Sequence, residues 1–338
     1  MKKFKMGLDA HSASCTLAVL SQDGNLIRCQ SFETSERNLI AAVTAYEGER
    51  ILVVEESHLA DWVKRVLDPY CDQVIICDPQ RNKWIWKAEH ANDQVDAIKL
   101  AKLLHAGFIR EIAHVSGKSL QRRSLFGHYY DLVQQMVRIK LKLKAEFRAL
   151  AITAKGQGIY QNKNRTKWIG KLGEDPSVRF QAEQYYQLID QLEKLRHQTM
   201  GRLEQEAAQT KPYALLRSFP GIGPVVACGY LALIDTPERF SRKNQLWSYA
   251  GFGVRRLESD GKVYADQNSK GGNRILKWVV SEHFRGAMRT LQKNKFQKNF
   301  EAFQKRGLNT KQARRAVVRQ LLSSLRAAWK KGELYRDS

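Results

Sequence analysis

Four acidic residues are placed so that they could form one metal-binding site. Asp9 lies on the first predicted strand and Glu55 ends the fourth. Asp93 and Asp96 stand at i and i+3 at the start of a predicted helix, a spacing that places both carboxylates on one helical face. Grouped carboxylates repel one another unless divalent cations neutralise them, and hard oxygen ligands suit Mg²⁺ or Mn²⁺ better than zinc. Two such ions could hold a phosphodiester for in-line displacement.

The hydrophobic pattern of the first hundred residues predicts the elements that would position these acids. Residues 4–32 favour three antiparallel strands, and helices and buried strands follow in the order α-β-α-β-α, with the last helix beginning at Asp93. This order is that of the ribonuclease H-like nuclease fold, in which the first and fourth strands are central neighbours. We therefore expect an α/β N-terminal domain with Asp9 beside Glu55. Glu56 stays an alternative to Glu55, because strand alternation directs only one of the two into the cleft.

The charge of the chain is uneven. Its 338 residues include 57 Lys and Arg and 34 Asp and Glu, a net charge of +23. Residues 1–110 have a net charge of −1, whereas residues 111–170 carry +9 and residues 283–336 carry +13. Positive charge this dense repels itself unless a polyanion neutralises it, so nucleic acid is the expected partner. The basic segments lack the aromatic and leucine-rich face of an interfacial helix, which disfavours a membrane surface.

Hydropathy and cysteine usage exclude other classes. A hydrophobic fraction of 43% is sufficient for packed cores, so the charge belongs to a folded protein. The most apolar stretch, residues 215–234, is interrupted by charge, proline and glycine, which excludes a spanning helix. The N-terminus shows no apolar signal segment, so we expect a cytoplasmic protein. Five cysteines without a CxxC pair argue against a zinc knuckle or a disulfide framework.

The middle of the chain is predicted to be helical. Helical spacing covers residues 120–154 and 180–207. Residues 155–177 are rich in glycine, asparagine and lysine, so we expect a mobile or nucleic-acid-contacting loop there rather than packed core. The expected domains are residues 1–112, 113–210 and 211–335.

Residues 215–227 predict a helix, a tight glycine turn and a second helix, which is a helix-hairpin-helix pattern. Gly221 and Gly223 would allow close approach of a DNA backbone, and the free amides that start the second helix could bind its phosphates. An ordinary helix-helix turn would give the same pattern.

Two polar, glycine-containing loops follow and flank a short predicted strand. Ser259 lies in the first loop, where its residue type and position fit an ordinary turn serine. Its basic surroundings could also neutralise a phosphate that the serine hydroxyl attacked. The residues that could do this are Arg255, Arg256, Lys262, Lys270 and Arg274.

Short motifs in a fixed order carry a family resemblance. They are the strand with Asp9, Val53–Glu55, Asp93–Ala97, Phe219–Pro224, and Tyr249–Phe252 followed by Ser259. In their order and spacing the chain resembles, over nearly its full length, transposases of the IS110 family of insertion sequences. The resemblance implies a DEDD, RuvC-like N-terminal domain, a long α-helical coiled-coil segment that dimerises, and a mainly α-helical C-terminal domain with a catalytic serine.

The resemblance also implies an activity. It is that of a DNA recombinase that excises and inserts its mobile element, guided by an element-encoded noncoding bridge RNA that selects donor and target DNA. Asp9, Glu55, Asp93 and Asp96 would bind Mg²⁺, with Mn²⁺ as the alternative, and Ser259 would form a covalent phosphoserine link to a DNA end. The acids of one subunit would be completed by the serine of another, so homodimers pairing into a tetramer on DNA are expected, associated with the prokaryotic nucleoid.

Alternatives remain open at the sequence level. Glu258 and Asp260 flank Ser259 with negative charge that disfavours the approach of a phosphate, so Ser269 is a second candidate nucleophile. A RuvC-type, metal-dependent, structure-selective DNA nuclease would need the four acids and no serine. A basic protein that packages DNA or RNA would need neither.

Overall fold

The chain forms two compact units, Met1–Ser116 and Gly117–Ser338. A computed structural model describes residues 2–78, 92–109, 111–112, 117–259, 262–268 and 271–337, with the backbone alone for residues 255–259 and 262–268. The further division expected near residue 210 stays a prediction.

The N-terminal unit is built on a five-stranded mixed sheet. Its strands are β1 (Lys3–Ala10), β2 (Ser14–Leu20), β3 (Leu26–Glu33), β4 (Glu49–Glu55) and β5 (Gln73–Cys77). They lie in the order β3-β2-β1-β4-β5. β1 pairs antiparallel with β2 and parallel with β4, so the first and fourth strands are the neighbours that the sequence predicted.

Helices cover both faces of this sheet. They are α1 (Glu36–Thr44), α2 (Ala60–Leu67) and α3 (Asp93–His105). Met6 and Leu52 of the sheet pack in one cluster with Leu39 of α1 and with α2. On the opposite face, Val53 packs with Leu100 of α3. This α/β layering is consistent with the ribonuclease H-like fold that the sequence predicted.

The C-terminal unit is mostly helical. Its two longest helices, α4 (Gly117–Ala149) and α6 (Pro176–Ala208), pack against each other in antiparallel directions, which confirms the two long helices expected from the sequence. Phe126 of α4 lies in a large core with residues of most later helices. The other elements are α5 (Arg165–Ile169), α7 (Lys211–Arg217), α8 (Pro224–Leu233), α9 (Lys243–Tyr249), β6 (Val254–Ser259), β7 (Lys262–Asn268), α10 (Arg274–Ala287), α11 (Lys295–Lys305) and α12 (Thr310–Lys331).

The segment between α4 and α6 is packed, so the loop expected over residues 155–177 was wrong. Ile159 and Leu172 are buried in one cluster with Phe147 of α4 and Tyr186 of α6. The Tyr186 hydroxyl donates a hydrogen bond to the Ile159 carbonyl oxygen at 2.9 Å. The polar composition of the segment concealed a few apolar side chains that reach between the two long helices, and these contacts order it.

β6 and β7 form an antiparallel pair, where the sequence predicted one short strand between two loops. β6 runs through Leu257 to Ser259, and Ser259 pairs with Lys262. The loop expected around Ser259 was therefore wrong. Polar residues pair here because a hairpin satisfies backbone groups whatever the side chains, and the Asp-Gly dipeptide at 260–261 of the sequence is a hairpin signal.

Two global expectations can be compared with the structure. None of the described helices is both long and apolar enough to cross a bilayer. The five cysteines, all of them among the described residues, are thiols not joined in disulfides, and Cys15, Cys77 and Cys228 are buried.

Candidate active site

Asp9 and Glu55 lie at equivalent positions on neighbouring parallel strands. Leu8 of β1 pairs with Val54 of β4, and Asp9 and Glu55 are the next residues along each strand. Leu8 and Val54 face the core formed with α1 and α2. Because side chains alternate along a strand, Asp9 and Glu55 lie on the opposite face, beneath α3. Glu56 is exposed and occupies the alternate position.

A glycine brings α3 directly against this face. Gly7 precedes Asp9 by two residues and therefore lies on the same side of β1. A Cβ at Gly7 would lie 2.2 Å from the Ala97 carbonyl oxygen and 2.4 Å from the Ala101 nitrogen. The helix backbone thus rests on the strand, and Asp93, one turn before Ala97, reaches the end of β1. Sequence reasoning did not use Gly7, although a glycine within a run of bulky strand residues signals close backbone approach.

The start of α3 fixes the two helix acids. The Asn92 side chain caps the helix by accepting a hydrogen bond from the Gln94 amide at 3.1 Å. Asp93 and Asp96 fall in the first turn, where negative charge complements the helix dipole. Asp96 pairs with Lys99 at 2.7 Å.

His11 joins the site, and sequence reasoning did not assign it a role. Its Nε2 lies 3.3 Å from Oδ2 of Asp9. Ligand atoms of Asp9, His11 and Asp93 all lie within 4.8 Å of one another. The available signal was the i,i+2 spacing of Asp9 and His11, which puts both side chains on one side of an extended chain. Ligand atoms of two of the four predicted acids, Asp9 and Asp93, thus meet a histidine to which the sequence assigned no role. Glu55 shares the face of Asp9, and Asp96 is near enough for its charge to act on Asp9.

The electrostatics of the site are those of crowded carboxylates. Burial raises the pKa of Asp9, and the charges of Asp93 and Asp96 raise it further, whereas the interaction with His11 lowers it. The Asp9 side chain is 21% exposed. Oxygen ligands in mutual repulsion, with one imidazole beside them, fit a divalent cation, which would relieve the repulsion.

In the C-terminal unit, the predicted hairpin lies between α7 and α8. Gly221 has a φ of 79°, and a Cβ there would lie 2.0 Å from the Ala287 nitrogen of α10. A Cβ at Gly286 would likewise lie 2.4 Å from the Gly221 carbonyl oxygen. Packing inside the chain therefore accounts for glycine at position 221. Gly223 caps α8, and the nearest atom to an added Cβ there is 3.8 Å away, on Arg217.

The predicted serine region is described in part. Ser259 ends β6, and Lys262 begins β7, while Arg255 and Arg256 lie within β6. The side chains of these four residues, and all of Ser269 and Lys270, lie outside the described residues. Arg274 begins α10, is exposed, and has its guanidinium 6.0 Å from the centre of the Tyr130 ring.

Comparison with known families agrees with this arrangement. A model of the DEDD domain of IS110 transposases, described as Transposase, matches residues 6–151. A second model, described as Transposase IS116/IS110/IS902 family, matches residues 213–301. No curated protein matches the chain.

The fold and the acidic site define the class of the protein. A ribonuclease H-like sheet with carboxylates at the ends of its central strands, joined to a basic helical region, is the arrangement of a DEDD-type enzyme that acts on DNA. The chain belongs to the IS110 family of transposases, and it is a DNA transposase. Family membership implies DNA binding and a divalent metal ion. The sequence prediction of the family is confirmed.

Proposed function

We propose that this transposase excises and inserts its element by joining metal-dependent chemistry to a serine nucleophile, under the guidance of an element-encoded bridge RNA. The observation that carries the proposal is the convergence of Asp9 and Asp93 with His11 where β1 ends beneath α3. A basic C-terminal unit in the same chain as an acidic site accords with a protein that must bind polyanions and cut them.

The acidic site is proposed to hold Mg²⁺, with Mn²⁺ as the alternative. Asp9, Glu55, Asp93 and Asp96 would be its ligands, and Glu55 is preferred to Glu56 because it shares the face of Asp9. When bound, the metal supplies positive charge that stabilises the phosphate undergoing displacement. Lys99 holds Asp96 in place through its ion pair.

Ser259 is proposed to attack a DNA phosphate. Its oxygen would form a bond to phosphorus while the bond from phosphorus to a deoxyribose oxygen breaks, and the released oxygen would take up a proton. Its place at the end of a paired strand supports this role, because strand pairing limits the motion of a nucleophile, and Ser269 stays the alternative. The residues proposed to contact the nucleic-acid backbone are Gly221, Gly223, Arg255, Arg256, Lys262, Lys270 and Arg274.

The protein is also proposed to act as a homodimer that assembles into a tetramer on DNA, in the cytoplasm and at the nucleoid. The length of α4 and α6 supports a dimerising role, since they extend over 33 residues each. Exposed apolar residues on α6, Phe180, Leu188 and Leu195, are available for such a contact.

The decisive experiment looks for a covalent intermediate. Purified protein is incubated with Mg²⁺, labelled element-junction DNA and RNA transcribed from the flanks of its gene, and the products are run on denaturing gels with and without protease. We expect a protease-sensitive protein-DNA adduct that disappears in Ser259→Ala and persists in Ser269→Ala. An adduct lost only in Ser269→Ala would move the nucleophile, and metal-dependent cutting without an adduct would indicate a RuvC-type nuclease.

RNA guidance is tested in the same assay by omitting or replacing the RNA. We expect strand joining to depend on the transcript from the element flank and to fail with an unrelated RNA of equal length. Equal joining with either RNA would refute the guide role and leave the transposase assignment intact.

A further inference from the structure

A groove of about 590 Å³ runs along the C-terminal unit beside the hairpin. It is lined by α4, α6, α8 and α10, and none of its lining residues belongs to the acidic site. Its size falls within the roughly 300–1,000 Å³ of pockets that bind small organic groups. It is too small for a duplex and large enough for one or two unpaired nucleotides.

One wall of the groove is a rigid aromatic ring. Trp278 of α10 is half-buried and lines the groove. Tyr130 supports its ring edge-on at a centroid distance of 5.3 Å, and Phe126 lies at 6.4 Å. Val137, 47% exposed, adds an apolar surface from α4. An indole held from behind offers a surface on which a base can stack without ordering cost.

The same groove carries positive charge that the chain does not neutralise. Arg196 is paired with Glu193 at 2.5 Å, and Arg285 is paired with Glu282. Arg289 lines the groove, is exposed, and has no carboxylate within ion-pair distance among the residues that the structure describes.

The charged and aromatic groups form one stripe along α10 and the turn that follows it. Trp278, Glu282 and Arg285 are spaced by four and three residues, which places them along one helical side, and Arg289 lies in the turn just after α10 ends. A ligand lying along this stripe would meet the indole at one end and the free guanidinium at the other.

Neighbouring positive charges favour binding of an anion at the end of the groove where Arg285 and Arg289 lie. Burial lowers the pKa of Arg285, and the nearby charges of Arg314 and Arg289 lower it further. The Arg285 guanidinium, which is paired with Glu282, is therefore close enough to those of Arg289 and Arg314 to be repelled by them. A phosphate at this position would relieve the repulsion.

We propose that this groove binds a short unpaired stretch of single-stranded nucleic acid, with a base stacked on Trp278 and a backbone phosphate of the same strand at Arg289. The charge of residues 283–336, net +13, favours a polyanionic strand over a second copy of this basic chain. The inference rests on the proposed function, because strand cleavage and RNA guidance both present unpaired nucleotides.

The test measures binding of the full-length protein to a fluorescent oligothymidine and to a duplex of equal length, without metal. Arg289→Glu should weaken oligothymidine binding about tenfold. It should also reduce the slope of the logarithm of the binding constant against the logarithm of salt concentration by about one or more. Arg306→Glu is the matched control, since it makes the same charge change at an exposed site at the end of α11, outside the groove. Duplex binding should change equally in the two variants.

Base stacking is tested on the wild-type protein, so that it does not depend on a variant's folding. An oligonucleotide carrying 5-iododeoxyuridine is photo-crosslinked and the modified peptide is mapped, with Trp278 expected as the site. Trp278→Leu should reduce oligothymidine binding about tenfold. A crosslink elsewhere in the chain, or an Arg289→Glu variant that binds like Arg306→Glu, would overturn the proposal.

The two proposals fail in separable ways. Loss of the groove site would leave Mg²⁺-dependent cleavage and the serine adduct in place, whereas loss of the adduct would leave metal-free oligothymidine binding unchanged. A crosslink between two protein copies at Trp278 would instead assign the groove to self-association.

Discussion

In each unit of this transposase a glycine allows two backbone segments to approach closely, and the side chains near the two contacts carry opposite charge. In the N-terminal unit, Gly7 lets α3 rest on β1, and the contact holds carboxylates beside Asp9. In the C-terminal unit, Gly221 and Gly286 let the hairpin rest on α10, and Arg285 of this helix and Arg289 of the turn after it line the groove beside the contact. The comparison shows that close packing fixes where an element lies, and that the residues around the contact decide which ligand it serves.

The difference in charge follows the division into units. Residues 1–110 have a net charge of −1, and the remaining 228 residues have a net charge of +24. Carboxylates that bind a cation must lie close together even though they repel one another. A surface that binds DNA instead needs an excess of positive charge over a wide area. Because the acidic site and the basic surface belong to different units of the chain, neither charge pattern neutralises the other.

The largest expected effect is a loss of strand cleavage that distinguishes Glu55 from the adjacent Glu56. Glu55→Gln should lower metal-dependent strand cleavage by on the order of 100-fold or more, because it removes the proposed metal ligand that shares the face of Asp9. Glu56→Gln is the matched control and should stay within about twofold of wild type, as expected for an exposed substitution. Cleavage of labelled DNA is the measurement. Equal losses would show that strand alternation does not select the ligand.

The second prediction breaks each glycine contact in turn. Gly7→Ala and Gly286→Ala should each cost about 1–3 kcal/mol of folding free energy, because the added Cβ meets backbone that must move. Gly7→Ala should also weaken Mn²⁺ binding, measured by electron paramagnetic resonance, while Gly286→Ala should not.

The control for this pair is Gly201→Ala, in the interior of α6. An added Cβ there meets nothing within 4 Å, so helix propensity should stabilise the protein by up to about 1 kcal/mol. Denaturant unfolding measures all three variants. Weakened Mn²⁺ binding in Gly286→Ala would show that the metal site is sensitive to general destabilisation.

The third prediction concerns acid stability of the C-terminal unit. Burial lowers the pKa of His283 to about 3, and its Nδ1 lies 2.9 Å from the Tyr230 hydroxyl. The unfolded state binds the proton first, so this contribution is complete above about pH 6.5 and is lost as the pH falls towards 3, by at most about 1.4 kcal/mol per pH unit.

The check is denaturant unfolding of wild type and His283→Gln across pH 7 to 4. The variant retains a polar partner for Tyr230 and removes the titrating group, so its stability should depend less steeply on pH. Parallel curves would place the acid sensitivity in other groups.

The smallest expected effect has the opposite sign and lies in the N-terminal unit. The pKa of Asp9 is raised in the folded protein, so above that pKa its charge lowers the stability of the metal-free protein, and the penalty disappears as the pH falls below the unfolded value. Asp9→Asn should therefore raise the melting temperature slightly at neutral pH in the presence of a chelator. A clear decrease would mean that the interaction with His11 outweighs burial and repulsion.

Much of the fold follows from local patterns. Apolar runs and helical periodicities gave the order of strands and helices in the N-terminal unit, because elements that pack on a core carry apolar residues at the spacing of their own geometry. The packed segment around Ile159 was missed, since its few apolar residues belong to no period of their own and face helices that are distant in the chain. The pairing of β6 and β7 was missed because polar strands carry no hydrophobic signal.

The candidate site was likewise predicted from the sequence only in part. The sequence alone determined the acidic residue types, their places at the ends of predicted elements, the excess of positive charge and the family, because these depend on composition, spacing and motif order. Tertiary structure decided that His11 joins Asp9 and that Glu55, rather than Glu56, shares its face. Those outcomes depend on strand register and on the contact of α3 with Gly7, and both arise only when segments far apart in the chain pack together.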